Sequence, residues 1–165
     1  MINDKSRKIF IYIALVLLVF ALDRVSKVIV LNILENAGKV DIYINSFLSL
    51  YLVWNQGIGF GLFSFDQSYI YNGITLLILL INLLILYLIY KEKTPKTYFL
   101  AIILGGSCGN LFDRYYYSAV PDFIDLNYEG YHWFIFNVAD IFITLGIICL
   151  ILAEFLIYKK QNDKK

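Results

Sequence analysis

The sequence predicts an all-α membrane protein of four transmembrane helices, with a small antiparallel β-sheet outside the bilayer. Three observations lead there. Of the 165 residues, 60% are hydrophobic and the mean hydropathy is +0.69, whereas a soluble domain is typically about half apolar. The apolar residues gather into four long runs separated by polar connections. The lysines and arginines cluster at alternate ends of those runs. The length suits one domain, residues 1–165. A net charge of +1 argues against nucleic acid as a partner, because that role needs a basic surface. Cys108 and Cys149 both lie in apolar runs and read as buried small hydrophobes, without disulfide or metal spacing.

The first helix is expected at about residues 9–31. Lys5, Arg7 and Lys8 precede an uninterrupted apolar run from Ile9 to Leu22. A secretory signal also starts this way, but no small-residue cleavage site follows. Asp23-Arg24-Val25-Ser26-Lys27 and a second apolar run, Val28–Leu34, come instead. At 1.5 Å per residue, Ile9–Leu22 covers only about 20 Å of a roughly 30 Å hydrocarbon core. Asp23 and Arg24 therefore fall within the bilayer's outer part and must face protein or water. Asp23 and Lys27, four apart, share a helical face and can pair.

Residues 36–68 form a first outer segment. Asp41–Asn45 and Phe47–Val53 are short and rich in β-branched and aromatic residues, as strands are. Asn55-Gln56-Gly57-Ile58-Gly59-Phe60-Gly61 follows and reads as a turn, since it lacks the context of a nucleotide-binding loop. The second helix, about 69–90, carries Asn82 within its apolar core, a candidate for hydrogen bonding to a neighbouring helix. Lys91–Lys96 is a basic turn. The third helix, about 97–115, contains Gly105, Gly106 and Gly109, small residues that allow close helix approach, and ends in Asn110, Asp113 and Arg114. Residues 119–137 read as an aromatic loop whose Tyr128, Tyr131, Trp133 and Phe134 suit the headgroup region. The fourth helix, about 138–158, has Asn137 as candidate N-cap and Asp140 in its first turn.

The basic clusters at Lys5–Lys8, Lys91–Lys96 and Lys159–Lys165 must share one side if there are four spans, and that side is the cytoplasm. Both termini are then inside, and Asp23, Asp113, Arg114, Asp122 and Asp140 converge on the outer third of the bundle. Ionisable groups at that depth mark a functional site, because burying their charge is costly. Spacing alone leaves Asp122 and Asp125 equal candidates for one carboxyl, and assigns Asp113 to neutralisation by Arg114 or Arg24. His132 lacks an accompanying Ser or Cys nucleophile motif. A carboxyl-pair enzyme, a small ion or solute transporter with outer carboxylates, and a scaffold with structural ion pairs all remain open on this ground.

The motifs resemble, in order and over nearly the whole chain, those of the lipoprotein signal peptidase (type II signal peptidase) family. Asp23-Arg24-Val25-Ser26-Lys27 is similar to its first-helix motif. Asn55–Phe60 resembles its Asn-x-Gly-x-Ala-Phe motif, and Gly105–Arg114 its third-helix motif. Val120–Ile124 and Phe136–Asp140 resemble the two motifs bearing its catalytic aspartates. The resemblance implies a bacterial cell-membrane aspartic endopeptidase, active at the outer face without metal or other cofactor. Its partners would be diacylglyceryl-modified prolipoproteins, cut before the lipidated cysteine, and membrane lipids, with the chain acting as a monomer. Asp122 and Asp140 would be catalytic. Asn55, Gly57, Asn110, Arg114 and Asn137 would shape the site and hold substrate, and Asp23, Lys27 and Asp113 would support it. Gly59 in place of Ala, Pro121 before Asp122 and Ile141 after Asp140 depart from the family's usual pattern.

Overall fold

The computed structural model describes residues 4–57, 68–91 and 94–162. The chain runs α1 (Asp4–Ala37), β1 (Asp41–Asn45), β2 (Leu48–Asn55), α2 (Ser68–Lys91), α3 (Lys96–Tyr117), β3 (Val120–Tyr128), β4 (Tyr131–Phe136) and α4 (Val138–Asn162). Gly59 and Gly61 of the glycine-rich stretch, Glu92 and Lys93 of the basic turn, and Lys164 and Lys165 of the tail lie outside the described residues.

All four expected helices form. Among the described residues, Ser6–Ala37, Tyr69–Lys91 and Val138–Leu156 are long and apolar enough to cross a membrane. Their outward faces are apolar: Leu17, Leu76 and Leu152 are each more than half exposed. The interior is the reverse, for Asp23, Lys27, Asp113 and Asn137 are fully buried. Apolar outside and polar inside is the arrangement that lipid favours. α1 runs past the expected end near Leu31. It stops at Gly38, whose positive φ of 73° and N–H bond to Leu34 O (2.8 Å) close the last turn.

α3 is the central helix, packed against α1, α2 and α4. It is less apolar than the others because it carries glycines, Ser107, Asn110, Asp113 and Arg114. Two glycines show why it must. A Cβ on Gly109 would stand 2.5 Å from Asp23 Oδ2, and one on Gly106 would stand 2.7 Å from Ala139 O. Any larger residue would push α3 away from α1 or α4, the two helices that bring charge to its C-terminal end. Asn82 does not behave as expected: it is buried in α2, yet neither end of its amide has a partner among the described residues.

The sheet is larger than the sequence suggests. The aromatic segment expected as a loop is the hairpin β3–β4, which extends the expected pair into a four-stranded antiparallel sheet of order β1-β2-β3-β4. Two features hide it. Pro121, Asp122, Asp125 and Asn127 are residue types depleted in strands, and the two-residue turn uses Glu129 (φ 50°) and Gly130 (φ 83°), where Asn or Asp would have signalled the first position. Phe123 of β3 packs with Val30 of α1 and Val40, with Ile33, Leu34 and Val138 around them. This cluster fastens the sheet to α1 and sets β3 beside the first turn of α4.

Candidate active site

The end of α3 meets α1, β3 and α4 in two adjoining polar groups. The first is an ion cluster. Lys27 Nζ lies 2.9 Å from Asp23 Oδ1 and 2.6 Å from Asp113 Oδ2, all three side chains fully buried. Arg24 pairs with Asp113 Oδ1 at 2.6 Å and Asp23 Oδ2 at 3.0 Å, and its guanidinium lies 4.8 Å from the centre of the Phe112 ring. Two anions thus face two cations. Of the two neutralisers proposed for Asp113, Arg24 is correct and Arg114 is not. Arg114 points the other way: it donates to Gly57 O and lies beside the Tyr71 ring at 5.3 Å. Its Nε and Nη1 have no partner among the described residues.

The second group is the carboxyl pair. Asp122 sits on β3, opposite Val53 of β2. Asp140 sits in the first turn of α4. Asn137 joins them. It caps α4 reciprocally: Asp140 N donates to Asn137 Oδ1 (3.2 Å), and Asn137 N donates to Asp140 Oδ2 (3.1 Å). The same side chain's Nδ2 donates to Asp122 Oδ1 at 2.6 Å. Asn55, from the end of β2, donates to Asp122 Oδ2 at 2.8 Å. Asn110, from α3, donates to Asp140 Oδ1 at 2.8 Å. All four carboxyl oxygens therefore accept from a neutral amide N–H, and no cation touches either carboxyl among the described residues. Burial, and then the neighbouring Asp140 charge, push the Asp122 carboxyl up to about 6, against the lowering pull of the Asn137 and Asn55 bonds.

Each asparagine is itself held by its oxygen. Gly57 N donates to Asn55 Oδ1 at 2.8 Å, so the bond from Arg114 to Gly57 O braces the loop that orients Asn55. Asp140 N holds Asn137 Oδ1, and Lys27 Nζ holds Asn110 Oδ1 at 2.9 Å. Asp23 reaches across to α4 and accepts from Ala139 N at 3.1 Å.

Asp125 is not part of the pair. Three positions from Asp122 on one strand, it faces the other side of the sheet. There it accepts from Asn127 Nδ2 (2.9 Å) and contacts His132 Nδ1 (2.7 Å). His132 is thereby committed to Asp125, away from the pair. On the Asp122 side, an apolar cleft of about 310 Å³ opens between the sheet and α4. Leu126, Phe134, Phe136, Ile141 and Leu145 line it, and Asp140 brings charge to its wall. The sequence did not reveal this cleft, because the strand alternation that aligns Leu126, Phe134 and Phe136 on one face depends on recognising the hairpin.

The family model described as Signal peptidase (SPase) II matches residues 15–156. The chain is 50% identical over 159 residues to the lipoprotein signal peptidase of Pelagibacter ubique (strain HTCC1062), covering 96% of each. It is 37% identical to that of Anaplasma marginale (strain Florida) over 147 residues, 88% of this chain and 84% of the relative. A solved structure described as a bacterial membrane enzyme determined by the in meso method superposes with a TM-score of 0.75 at 27% identity, covering 95% of this chain and 93% of that one. On a family match across most of its length and a relative half identical to it, the chain belongs to the signal peptidase II family of aspartic peptidases.

Proposed function

We propose that Asp122 and Asp140 are the catalytic pair of a membrane endopeptidase that removes signal peptides from diacylglyceryl-modified bacterial prolipoproteins, cutting before the lipidated cysteine. The observation that carries this reading is the surrounding of the pair: four carboxyl oxygens, four neutral amide donors and, among the described residues, no contacting cation. Two carboxyls so placed resist double ionisation, and one keeps a proton that a salt bridge would have removed. The ionised carboxyl takes a proton from a water molecule, whose oxygen adds to the scissile carbonyl carbon. The protonated carboxyl donates to the carbonyl oxygen as charge develops there. The tetrahedral adduct then collapses: the C–N bond breaks, the leaving nitrogen receives the proton first taken from water, and the carbonyl re-forms as its hydroxyl returns its proton to the carboxyl that gave it. The two protonation steps belong to the pair rather than to either aspartate.

The apolar cleft beside Asp140 suits a lipid chain, which would deliver the adjoining peptide bond to the carboxyls at fixed depth. Arg114, whose Nε and Nη1 have no partner among the described residues, stands beside Gly57 and suits a substrate carbonyl. In this reading α3 is a fourth span, its polar side enclosed by α1 and α4, and the whole chain is one integral membrane unit. The basic residues at both termini and between α2 and α3 support a cytoplasmic location for those segments, with the sheet and carboxyl pair at the outer face. The enzyme works as a monomer, without a metal or other cofactor. Family membership leaves a transporter role without support.

The test is incubation of the purified protein with a diacylglyceryl-modified precursor, alongside Asp122→Asn and Asp140→Asn. Cleavage by the parent and by neither variant is expected. An active variant that remains folded would remove that aspartate from the pair.

A further inference from the structure

We propose that Lys27 is a positioning residue for the reaction: by donating to Asn110 Oδ1 it fixes the Asn110 amide with its NH2 end toward Asp140. The inference rests on the catalytic reading of Asp122 and Asp140 and adds a determinant outside the pair.

An asparagine amide is nearly the same shape either way round, but one end accepts and the other donates. Asn110 stands between Lys27 and Asp140, with its oxygen 2.9 Å from the first and its nitrogen 2.8 Å from the second. A lysine ammonium can only donate and a carboxylate can only accept, so just one orientation satisfies both neighbours. The reverse would set an acceptor against Asp140 and a donor against Lys27. The ammonium has three N–H groups and three acceptors: Asp23, Asp113 and Asn110. Neutralising the two aspartates would occupy two of them. The third is directed at the amide.

Lys27 also differs from the groups that orient the other two asparagines. Asn55 and Asn137 are held by backbone N–H groups, of Gly57 and Asp140. Asn110 is oriented by a side chain instead, so the direction of this donor can be released by a substitution elsewhere. The charged groups around Asp140 are Asp122 on β3, Asp23 and Lys27 on α1 and, beyond them, Arg24 on α1 and Asp113 on α3. Of these, only Lys27 also bonds to a side chain that donates to Asp140.

Lys27→Met alone would leave two buried aspartates to share one cation, so the informative protein is Lys27→Met/Asp113→Asn, which removes one cation and one anion and leaves Asp23 with Arg24. The expected result is a folded protein with little change in KM. Its kcat should fall by roughly a hundredfold, the scale of losing one preorganised donor. The alkaline limb of its pH–rate profile should move up, because an unoriented amide no longer stabilises the ionised pair. A purely structural role would lower the folded yield without moving that limb, and loss of the Lys27 charge alone, which acts on Asp122 through space, would move the limb but leave the effect of Asn110→Ala undiminished. Asn110→Ala closes a cycle: added to the double variant it should cost nothing further, since both act on one bond. Wild-type kcat and an unmoved limb in the double variant, or effects that multiply with Asn110→Ala, would overturn the proposal. Should the double variant not fold, Asn110→Asp carries the test. It keeps an acceptor for Lys27 and turns an acceptor toward Asp140, so an unmoved limb there also overturns it. Activity in Asp122→Asn or Asp140→Asn would defeat the catalytic reading instead, whatever Lys27 does.

Discussion

Two pairs of aspartates lie side by side at the end of α3, and their surroundings differ in one respect. Asp23 and Asp113 are held by Lys27 and Arg24 at 2.6–3.0 Å. Asp122 and Asp140 are held by Asn55, Asn110 and Asn137, with no cation in contact among the described residues. Burial alone does not separate them, for Asp122 is nearly as buried as Asp23 and Asp113, although Asp140 is part-buried beside the cleft. The partners do. A cation beside a carboxylate favours its ionised form and ties the two side chains together, so the pair becomes a fastening. An amide fixes the carboxylate in place but leaves the proton available for exchange. Charge balance separates the ion-paired aspartates from those proposed for chemistry.

The sharpest way to break this comparison is to neutralise one carboxyl at a time. Asp122→Asn and Asp140→Asn should each lower cleavage of a lipid-modified precursor by roughly a thousandfold or more, as loss of a reacting group does. In both, the new NH2 also faces amide donors. Asp113→Asn should act on the other side of the divide. Leaving Lys27 and Arg24 to share Asp23 should cost about 3–5 kcal/mol of stability, seen as a lower melting temperature in detergent, while the molecules that remain folded still turn over. Collapse of turnover without loss of stability would erase the distinction.

Smaller effects sharpen it. Asn55→Ala removes one donor from Asp122 and should reduce kcat by roughly tenfold to a hundredfold, with KM less affected. The pH profile follows from the pair, in which the Asp122 carboxyl is raised from 3.8 to about 6 by burial and then by Asp140. The proton is retained below about 6 and lost above it, so kcat/KM should decline as pH rises through that region. A raised carboxyl also means that the folded state holds this proton more tightly than the unfolded chain. Its contribution to stability is therefore present in full below 3.8 and fades as pH rises through about 6. A rate that climbs steadily on the alkaline side of that region would contradict the assignment. Least of all, Asp125→Asn should cost about 1–2 kcal/mol by disturbing the bonds to His132 and Asn127, and should leave cleavage unchanged because those groups face away from the pair.

The helices were legible because apolar runs of bilayer length are rare outside membrane-spanning segments. The pairing of Asp23 with Lys27 was legible because four residues make one helical turn. The sheet was legible only in part. β1 and β2 alternate β-branched and aromatic residues, whereas β3 carries a proline and two aspartates, so a strand was hidden under loop chemistry. That error left Asp122 and Asp125 inseparable by spacing, since only strand alternation assigns them to opposite faces. Family resemblance selected Asp122 without a physical reason for the choice. Arg114 was assigned to Asp113 from adjacency along the chain, but on a helix adjacent residues point about 100° apart. The buried amide of Asn82, without a partner among the described residues, has no account in the structure.

The amides around the carboxyls come from distant parts of the chain. Asn55 is 67 residues from Asp122, Asn110 is 30 from Asp140, and the contact that steadies Ala139 spans 116 positions to Asp23. No fragment made early in synthesis contains the whole arrangement, and the last helix supplies both a carboxyl and the residue that joins the two. On the proposed reading, the carboxyl pair is complete only once α4 has joined the bundle. Chains that stop before Asn137 keep Asp122, Asn55 and Asn110 but lack Asp140, and should be inert in a cleavage assay; turnover by such a shortened chain would contradict this timing.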